Sequence, residues 1–389
     1  MKRSGRLMSQ QPQPTCLVDI IAGARPNFMK IAPIIRAIEA RRAQGSRLRW
    51  RLVHTGQHYD ARMSADFFEQ LNIPEPHVNL EVGSGTQAEQ TAAIMVRYEQ
   101  LLLAQRSQLC LVVGDVTSTM ACAIVAQKLC IAVAHVEAGI RSGDWTMPEE
   151  INRMVTDAIT NYFFTTSEVA NQNLRRAGVA DERIFFVGNT MIDTLLANKA
   201  RFRQPSFWSE LGLAAGEYVV MTMHRPANVD SERGFRAVLQ SIADAVRGMK
   251  VVFPVHPRTA KTLAAMGALP SNLLLVDPQP YLEFNYLVQH AKAVITDSGG
   301  VTEETTVMGV PCITMRNTTE RPETVSIGTN ELIGTDPSRL APTLNKLFEG
   351  GWKRGGIPPL WDGKTSERIA ERLEALLDAT AVGPISRVA

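Results

Sequence analysis

Long apolar runs are missing from this chain: no window approaches the eighteen or so uninterrupted apolar residues that a membrane span requires. An excess of one charge is missing too. Lys plus Arg number 41 against 39 Asp plus Glu, a formal net charge of +2. No basic run or basic–aromatic interleaving occurs, which argues against a nucleic-acid surface. Cysteine is sparse. Cys16, Cys110, Cys122, Cys130 and Cys312 are scattered, mostly in apolar runs, with no C-x-x-C pair. They read as buried thiols of a reducing compartment rather than a disulfide framework. Met1 to Thr15 carries Lys2, Arg3 and Arg6 without the apolar core of a signal peptide, and reads as a disordered polar tail. The expectation is a cytoplasmic protein, long enough at 389 residues for two domains of ordinary size.

Several chemistries lack their marks. There is no Walker A sequence, no G-x-S-x-G and no zinc-ligand spacing among the cysteines and histidines. Gly83-Ser84-Gly85-Thr86-Gln87-Ala88 matches G-x-G-x-x-A as text. It follows polar Asn79-Leu80-Glu81 instead of a buried strand, and no acidic residue stands about twenty positions later, so it does not read as a dinucleotide site.

What is present is a recurring alternation. Short apolar runs at Cys16–Ile21, Leu48–Thr55, Leu109–Val113, Ala132–Val136, Tyr162–Thr166 and Ile184–Val187 read as strands. A second set follows at Tyr218–Met223, Val251–Pro254, Leu273–Val276, Ala293–Thr296 and Pro311–Met315. Helical patterns lie between them, among them Lys30–Arg42, Ala88–Gln105, Thr117–Leu129, Glu149–Thr160 and Gly234–Arg247. Continuous apolar strands alternating with helices predict an α/β protein with doubly wound parallel sheets. The strands are too many for one sheet, and Asn198–Ala215 lacks one. Two Rossmann-like domains are therefore expected to face a cleft, at 16–200 and 210–364, with a helix and tail at 365–389.

The most informative stretch is 293–304, Ala-Val-Ile-Thr-Asp-Ser-Gly-Gly-Val-Thr-Glu-Glu. A buried strand stops at Asp297-Ser298-Gly299-Gly300 and a helix follows, so backbone N–H groups and the helix dipole converge where an anion can sit. Two glycines let a phosphate approach the backbone. Glu303 and Glu304 cannot serve that phosphate, but a carboxylate there can accept hydrogen bonds from ribose hydroxyls. A Gly-Gly turn with helix-capping glutamates is the plainer reading of the same letters.

Further polar groups sit just after strands: Gly23-Ala24-Arg25-Pro26-Asn27 with Lys30, Thr55-Gly56-Gln57-His58, Gly114-Asp115-Val116-Thr117-Ser118-Thr119, and His135-Val136-Glu137-Ala138-Gly139 with Arg141. Met147-Pro148-Glu149-Glu150-Ile151-Asn152-Arg153 opens a helix, and Met223-His224-Arg225-Pro226 and Val255-His256-Pro257 end strands. Taken singly they have ordinary explanations. Asp115 can cap the helix that follows it. Glu149 and Arg153, at i and i+4, can be a surface pair. Phe284 can be core packing. Jointly, three carboxylates, two histidines and two arginines on one rim point to a site.

These segments together resemble the non-hydrolysing UDP-N-acetylglucosamine 2-epimerase family, over about residues 19–336. The motifs that carry the resemblance are Gly-Ala-Arg-Pro-Asn with Lys30, Thr-Gly-Gln-His, Gly-Asp-Val-Thr-Ser-Thr, His-Val-Glu-Ala-Gly, Pro-Glu-Glu-Ile-Asn-Arg, Met-His-Arg, Asp-Ser-Gly-Gly-Val-Thr-Glu-Glu and Thr-Glu-Arg-Pro-Glu at 319–323. The resemblance implies a GT-B-like pair of domains around a UDP-sugar, and interconversion of UDP-GlcNAc and UDP-ManNAc without an added cofactor. It also implies a homodimer and a product used in polysaccharide and cell-wall glycan synthesis. As the resemblance has it, Asp115, Glu137 and Glu149 are the acid–base carboxylates, with Arg153 and His224 in support. Arg25, Ser298, Gly299 and Gly300 would hold phosphates, Glu304 the ribose and Phe284 the uracil region. Lys30, Gln57, His256 and Arg321 complete the expected substrate contacts, and Glu303 is left as a helix residue.

The chemistry is sensible on its own terms. The sugar C2 proton is not acidic, because no carbonyl adjoins it. Expelling UDP from C1 while a carboxylate takes that proton leaves a glycal, which can be reprotonated on the other face. Crowded carboxylates supply pKa values near neutrality. Two departures stand out. Asn27 replaces a frequent Glu, and His224-Arg225-Pro226-Ala227 replaces His-Arg-Arg-Glu. A regulatory UDP-GlcNAc site, which some relatives build from Gln-His-x-Gln and an Arg-Gln pair, keeps only Gln57 and His58. Asp60 and Ser84-Gly85 stand at its other positions, so that binding is expected to be weak or absent. The departures also leave room for a modified sugar such as a diacetamido uronic acid, and a hydrolysing relative would share the elimination chemistry.

Overall fold

Continuous apolar runs became parallel strands covered on both faces. The computed structural model describes residues 16–56, 70–255 and 257–382. The first sheet contains β1 (Cys16–Ala22), β2 (Leu48–His54), β3 (Val78–Asn79), β4 (Leu109–Val113), β5 (Ala132–Val136), β6 (Tyr162–Thr165) and β7 (Ile184–Phe186), in the order β3-β2-β1-β4-β5-β6-β7. Its helices are α1 (Arg25–Ala43), α2 (Gln87–Ala104), α3 (Thr117–Lys128), α4 (Pro148–Ile159), α5 (Glu168–Arg176) and α6 (Thr190–Asn198). All five residues of β4 are buried, which its unbroken Leu-Cys-Leu-Val-Val requires.

The second sheet contains β8 (Tyr218–Thr222), β9 (Lys250–Pro254), β10 (Leu273–Val276), β11 (Ala293–Thr296), β12 (Cys312–Thr314) and β13 (Asn330–Leu332), in the order β10-β9-β8-β11-β12-β13. With it go α7 (Pro226–Val229), α8 (Glu232–Ala245), α9 (Pro257–Ala265), α10 (Tyr281–His290), α11 (Gly299–Met308), α12 (Pro322–Ser326) and α13 (Leu340–Phe348). Both sheets are parallel throughout and both are doubly wound, a GT-B-like α/β pair. The strand order reverses between β1 and β4 in one sheet and between β8 and β11 in the other. Such reversals open a crevice beyond the carboxyl ends of the strands.

The chain ends by crossing back. The Trp361 indole donates to the Thr166 carbonyl at 3.0 Å. Gly188, at φ +104°, lies so close to Leu360 that an added Cβ would stand 2.1 Å from its carbonyl oxygen. The final helix α14 (Thr365–Val382) then packs Ile369, Leu373 and Leu377 into the same core as Ile31, Ile34 and Ile38 of α1. Asp193 of α6 receives the Thr365 and Ser366 N–H groups at 3.1 and 2.6 Å, capping the opening turn of that helix. Helix 365–382 therefore belongs with the first sheet although it follows the second in sequence.

Some boundaries moved. Helix α1 begins at Arg25 instead of Lys30, with Pro26 in its first turn, where a missing N–H costs nothing. Strands β3 and β13 have two and three residues, too few to show a period. Among the described residues, no helix is long and apolar enough to cross a membrane. The 1–15 tail lies outside the described residues.

Candidate active site

The first rim is built at the β1–β4 reversal. Asn27 Oδ1 accepts the Gly23 and Ala24 N–H groups at 3.1 and 3.0 Å, and its Nδ2 donates to the Val113 carbonyl at 2.9 Å. This buried amide ties the end of β1 to the end of β4. A carboxylate here could accept but not donate, so Asn27 suits its setting. One turn on, Lys30 Nζ reaches Glu137 Oε2 at 2.6 Å. Glu137, directly after β5, is 1% exposed and held at φ +69°, a conformation rare for a side chain with a Cβ. Arg321 Nη2, from the other half of the molecule, meets the same Oε2 at 3.0 Å. Among the described residues, Glu137 Oε1 is buried without a hydrogen-bond partner.

Asp115 follows β4. It does not cap α3, whose N-cap is Val116 and lacks a side-chain bond. Its Oδ2 instead receives Arg153 Nε at 3.0 Å and Nη2 at 2.6 Å. Burial acts to raise the Asp115 carboxyl, but Arg153, Lys30 and Arg321 outweigh it and hold the group below the ordinary range. Arg153 also bonds Glu150 Oε2 at 2.5 Å. Glu150 in turn accepts from Ser142 N, Ser142 Oγ and Gly143 N, each at 3.0 Å. The alternative i,i+4 surface pair of Glu149 with Arg153 does not form. Arg153 is buried and turned to Asp115 and Glu150, while Glu149 lies half-buried in the first turn of α4, its charge felt by Arg225.

The second rim is organised by Asp297, a fully buried carboxylate after β11. It accepts from His224 N at 3.1 Å, Arg225 N at 2.9 Å and Asn228 Nδ2 at 3.0 Å, and His224 Nδ1 lies 3.0 Å from it. Burial opposes ionisation, but these donors hold the carboxyl low. Asp297 thus belongs to the frame of the turn, fixing the His224–Arg225 segment. Ser298 N donates to Thr296 Oγ1 at 2.9 Å, and α11 starts at Gly299. An added Cβ at Gly299 would stand 2.8 Å from Glu320 Oε1, whereas one at Gly300 would meet only Met191 Cε at 3.8 Å. Arg316 bonds Glu320 at 2.7 Å and is the main pull that brings its carboxyl down to about 2 against burial.

Between the rims lies a cavity of about 370 Å³. Lys30 and Asp115 line it from the first half, and Phe284, Ser298, Gly299, Gly300, Glu304 and Arg321 from the second. These predicted residues are brought together. Glu137, Glu149, Arg153 and His224 are not on that wall. Glu137 stands behind Lys30 and Arg321, and Arg153 behind Asp115. Arg25 opens α1, but its side chain is not described; Gln57, His58, Asp60 and His256 lie outside the described residues. Ser84-Gly85 leads into α2, where Thr86 and Glu89 form a reciprocal cap.

Sequence reasoning passed over four groups. Glu303, read as a helix residue, is 1% exposed, lines the cavity and binds Arg321 Nε and Asn189 Nδ2. Burial pushes its carboxyl up, Arg321 pulls it back, and the Glu137 charge adds to the rise. Tyr281 and Met191 also line the cavity, and Asn189 supports Glu303. The one signal available was Glu303 itself, an acid one turn into the helix after the glycine turn, on the same face as Gly299 and Gly300. Glu304 is raised to about 7, chiefly by burial, with Tyr281 opposing and the Glu303 charge adding. It can therefore exchange a proton near neutrality.

The fold is that of known proteins. The family model described as UDP-N-acetylglucosamine 2-epimerase matches residues 40–374. A UDP-N-acetylglucosamine 2-epimerase of Methanocaldococcus jannaschii is 40% identical over 367 residues, covering 92% of this chain and 98% of its own. A crystal structure of the Methanocaldococcus jannaschii UDP-GlcNAc 2-epimerase, in complex with UDP-GlcNAc and UDP, superposes with a TM-score of 0.83 at 39% identity, covering 92% and 99%. A Pseudomonas aeruginosa UDP-2,3-diacetamido-2,3-dideoxy-D-glucuronate 2-epimerase is 37% identical over 365 residues, covering 92% and 99%. The chain belongs to the UDP-N-acetylglucosamine 2-epimerase family.

Proposed function

We propose that this chain interconverts UDP-N-acetylglucosamine and UDP-N-acetylmannosamine by expelling UDP from C1 and restoring it after C2 has changed face. The observation that carries this is the shared cavity: the Ser298-Gly299-Gly300 turn and the cations Lys30 and Arg321 border the same space as Asp115. An anion site and an ionised carboxylate on facing walls are what an elimination needs. UDP seats its phosphates at the turn and helix start, its ribose at Glu304 and its uracil beside Phe284. A carboxylate of the first rim takes the C2 proton. That C–H pair becomes the C1=C2 double bond as the C1–O bond breaks, and UDP leaves with the bonding electrons. A proton is then delivered to the opposite face of C2 while a phosphate oxygen of UDP adds back to C1. No electrons are gained or lost overall, so no redox cofactor is called for.

Asp115, on the cavity wall and kept ionised by Arg153, is the acid–base carboxylate this geometry favours, and Glu137, behind the wall, is its partner by the family pattern. Glu149, off the wall, is assigned by the family pattern. Arg153 sets Asp115, and His224 is placed by Asp297 at the other rim. The reading includes a homodimer, supported by Val96 and Leu103, exposed apolar residues seven positions apart on α2, and use of the product in polysaccharide synthesis. A second reading is epimerisation of a diacetamido uronic acid nucleotide, favoured by the Pseudomonas aeruginosa relative and the departures at Asn27 and at His224-Arg225-Pro226-Ala227. Chromatography of a reaction on each nucleotide sugar separates the possibilities. UDP-GlcNAc giving UDP-ManNAc without free UDP supports the first. Stoichiometric free UDP with free ManNAc makes the enzyme hydrolysing, and turnover of the uronic acid nucleotide alone establishes the second reading.

A further inference from the structure

We infer that Glu303 is a positioning residue that clamps Arg321 across the cleft, so that one guanidinium serves both Glu137 and the leaving diphosphate. The inference rests on the epimerase reading. The three edges of the Arg321 guanidinium have three different fates. Nε is bound by Glu303 Oε1, Nη2 donates to Glu137 Oε2 at 3.0 Å, and Nη1 is buried without a partner among the described residues, in a residue that lines the cavity. An arginine at this depth does not leave a donor unmatched without cost. A diphosphate seated at Gly299–Gly300 supplies the acceptor, and guanidinium suits it.

Glu303 is itself held from the first half of the molecule. Asn189, in the N-cap position of α6, donates to the same Oε1 at 2.9 Å. The connections therefore alternate between halves: Asn189 of the first, Glu303 and Arg321 of the second, then Glu137 and Lys30 of the first. Every member is buried or nearly so: Glu303 1%, Glu137 1% and Arg321 7% exposed by side chain, and Lys30 11%. Water therefore screens little of the attraction. The consequence is positional. Glu137 Oε2 is saturated by Lys30 and Arg321, which leaves Oε1 as the one oxygen open to a proton. That state exists only while Glu303 keeps Arg321 turned to Glu137. Loosening Arg321 leaves the phosphate turn and the uracil wall intact, so nucleotide binding weakens only slightly while proton transfer suffers.

The test compares Glu303→Gln and Glu303→Asp with the unmodified enzyme, using steady-state turnover of UDP-GlcNAc and calorimetric binding of UDP. We expect kcat to fall about 10²-fold in Glu303→Gln with KM and the UDP Kd within about threefold, since an orienting contact acts in the transition state. Glu303→Asp keeps the charge, withdraws it by one methylene and disturbs folding least; it should lose kcat in the same manner but less. The pair Glu303→Gln and Arg321→Gln should not be additive: the double variant should be no slower than Arg321→Gln alone. Unchanged kcat in both Glu303 variants, additive losses, or a loss confined to UDP affinity would each overturn the assignment. If Glu303→Gln does not fold, Glu303→Asp decides by the same measures. Inactivity of the unmodified chain on the nucleotide sugars would instead remove the epimerase reading.

Discussion

Lys30 Nζ lies 2.6 Å from Glu137 Oε2, joining the second turn of α1 to the strained residue after β5. This contact leaves the second carboxylate oxygen, Oε1, buried and unpartnered among the described residues. Glu137→Gln should therefore reduce turnover by about 10³-fold or more, the scale of a lost general acid or base, with UDP binding kept. Asp115→Asn should act likewise. Initial rates with purified variants, next to UDP titrations, check both; substantial remaining activity in either would refute its role.

Among the described residues, Arg153 is the one cation bonded to both Asp115 and Glu150. Removing it takes the shared cation from two carboxylates, one of them buried, so Arg153→Met should cost about 3 kcal/mol of stability, in line with breaking a buried ion pair. Double replacement with Glu150→Gln should recover part of the loss. Urea melts of the three variants give the comparison. Equal stability of Arg153→Met and the parent would contradict the assigned network.

Gly299 and Gly300 should respond differently to a methyl group. At Gly299 the new Cβ meets Glu320 Oε1 at 2.8 Å and disturbs the fold even without nucleotide. At Gly300 the nearest atom is Met191 Cε at 3.8 Å, an ordinary contact. Gly300→Ala should thus melt like the parent yet bind UDP about tenfold more weakly, since the Cβ intrudes where a phosphate approaches. Undiminished UDP affinity in Gly300→Ala would remove the phosphate from this turn.

Stability should fall as pH rises through neutrality. Glu304 and Glu323 are each raised from 4.5 to about 7, mainly by burial. Between those values the folded protein holds protons that the unfolded chain has released. Their stabilising effect is complete below pH 4.5 and lost through pH 7, at most about 3 kcal/mol per group. Asp115, Asp297 and Glu320 are lowered and act oppositely, but only in acid below the ordinary carboxylate range. The melting temperature of ligand-free protein should therefore drop between pH 5 and pH 8, and Glu304→Gln should lessen the drop. A flat or rising profile would contradict the burial of these groups.

Much of this was legible in the sequence. Unbroken apolar runs such as Leu109–Val113 announced parallel strands, and the glycine turn after Ala293–Thr296 announced an anion site. Strand-end polar groups converge because a doubly wound sheet puts all its carboxyl ends on one side. What stayed hidden depends on distance in sequence. Glu303 and Asn189 are 114 positions apart, and Arg321 and Glu137 are 184 apart, so neither pairing leaves a local pattern. Spacing alone left Arg153 open to a local helix pair with Glu149, and only burial shows the arginine turned to Asp115, 38 positions away. The return of α14 to the first sheet was equally out of reach, because an amphipathic helix does not state which core it completes.

In the proposed mechanism the C2 proton is removed and returned by this site. Incubating the enzyme with UDP-GlcNAc in deuterated water and recording proton NMR tests it directly. We predict that deuterium appears at C2 and that both C2 epimers of the nucleotide sugar are present. No incorporation over hours, with UDP-GlcNAc bound, would contradict the account.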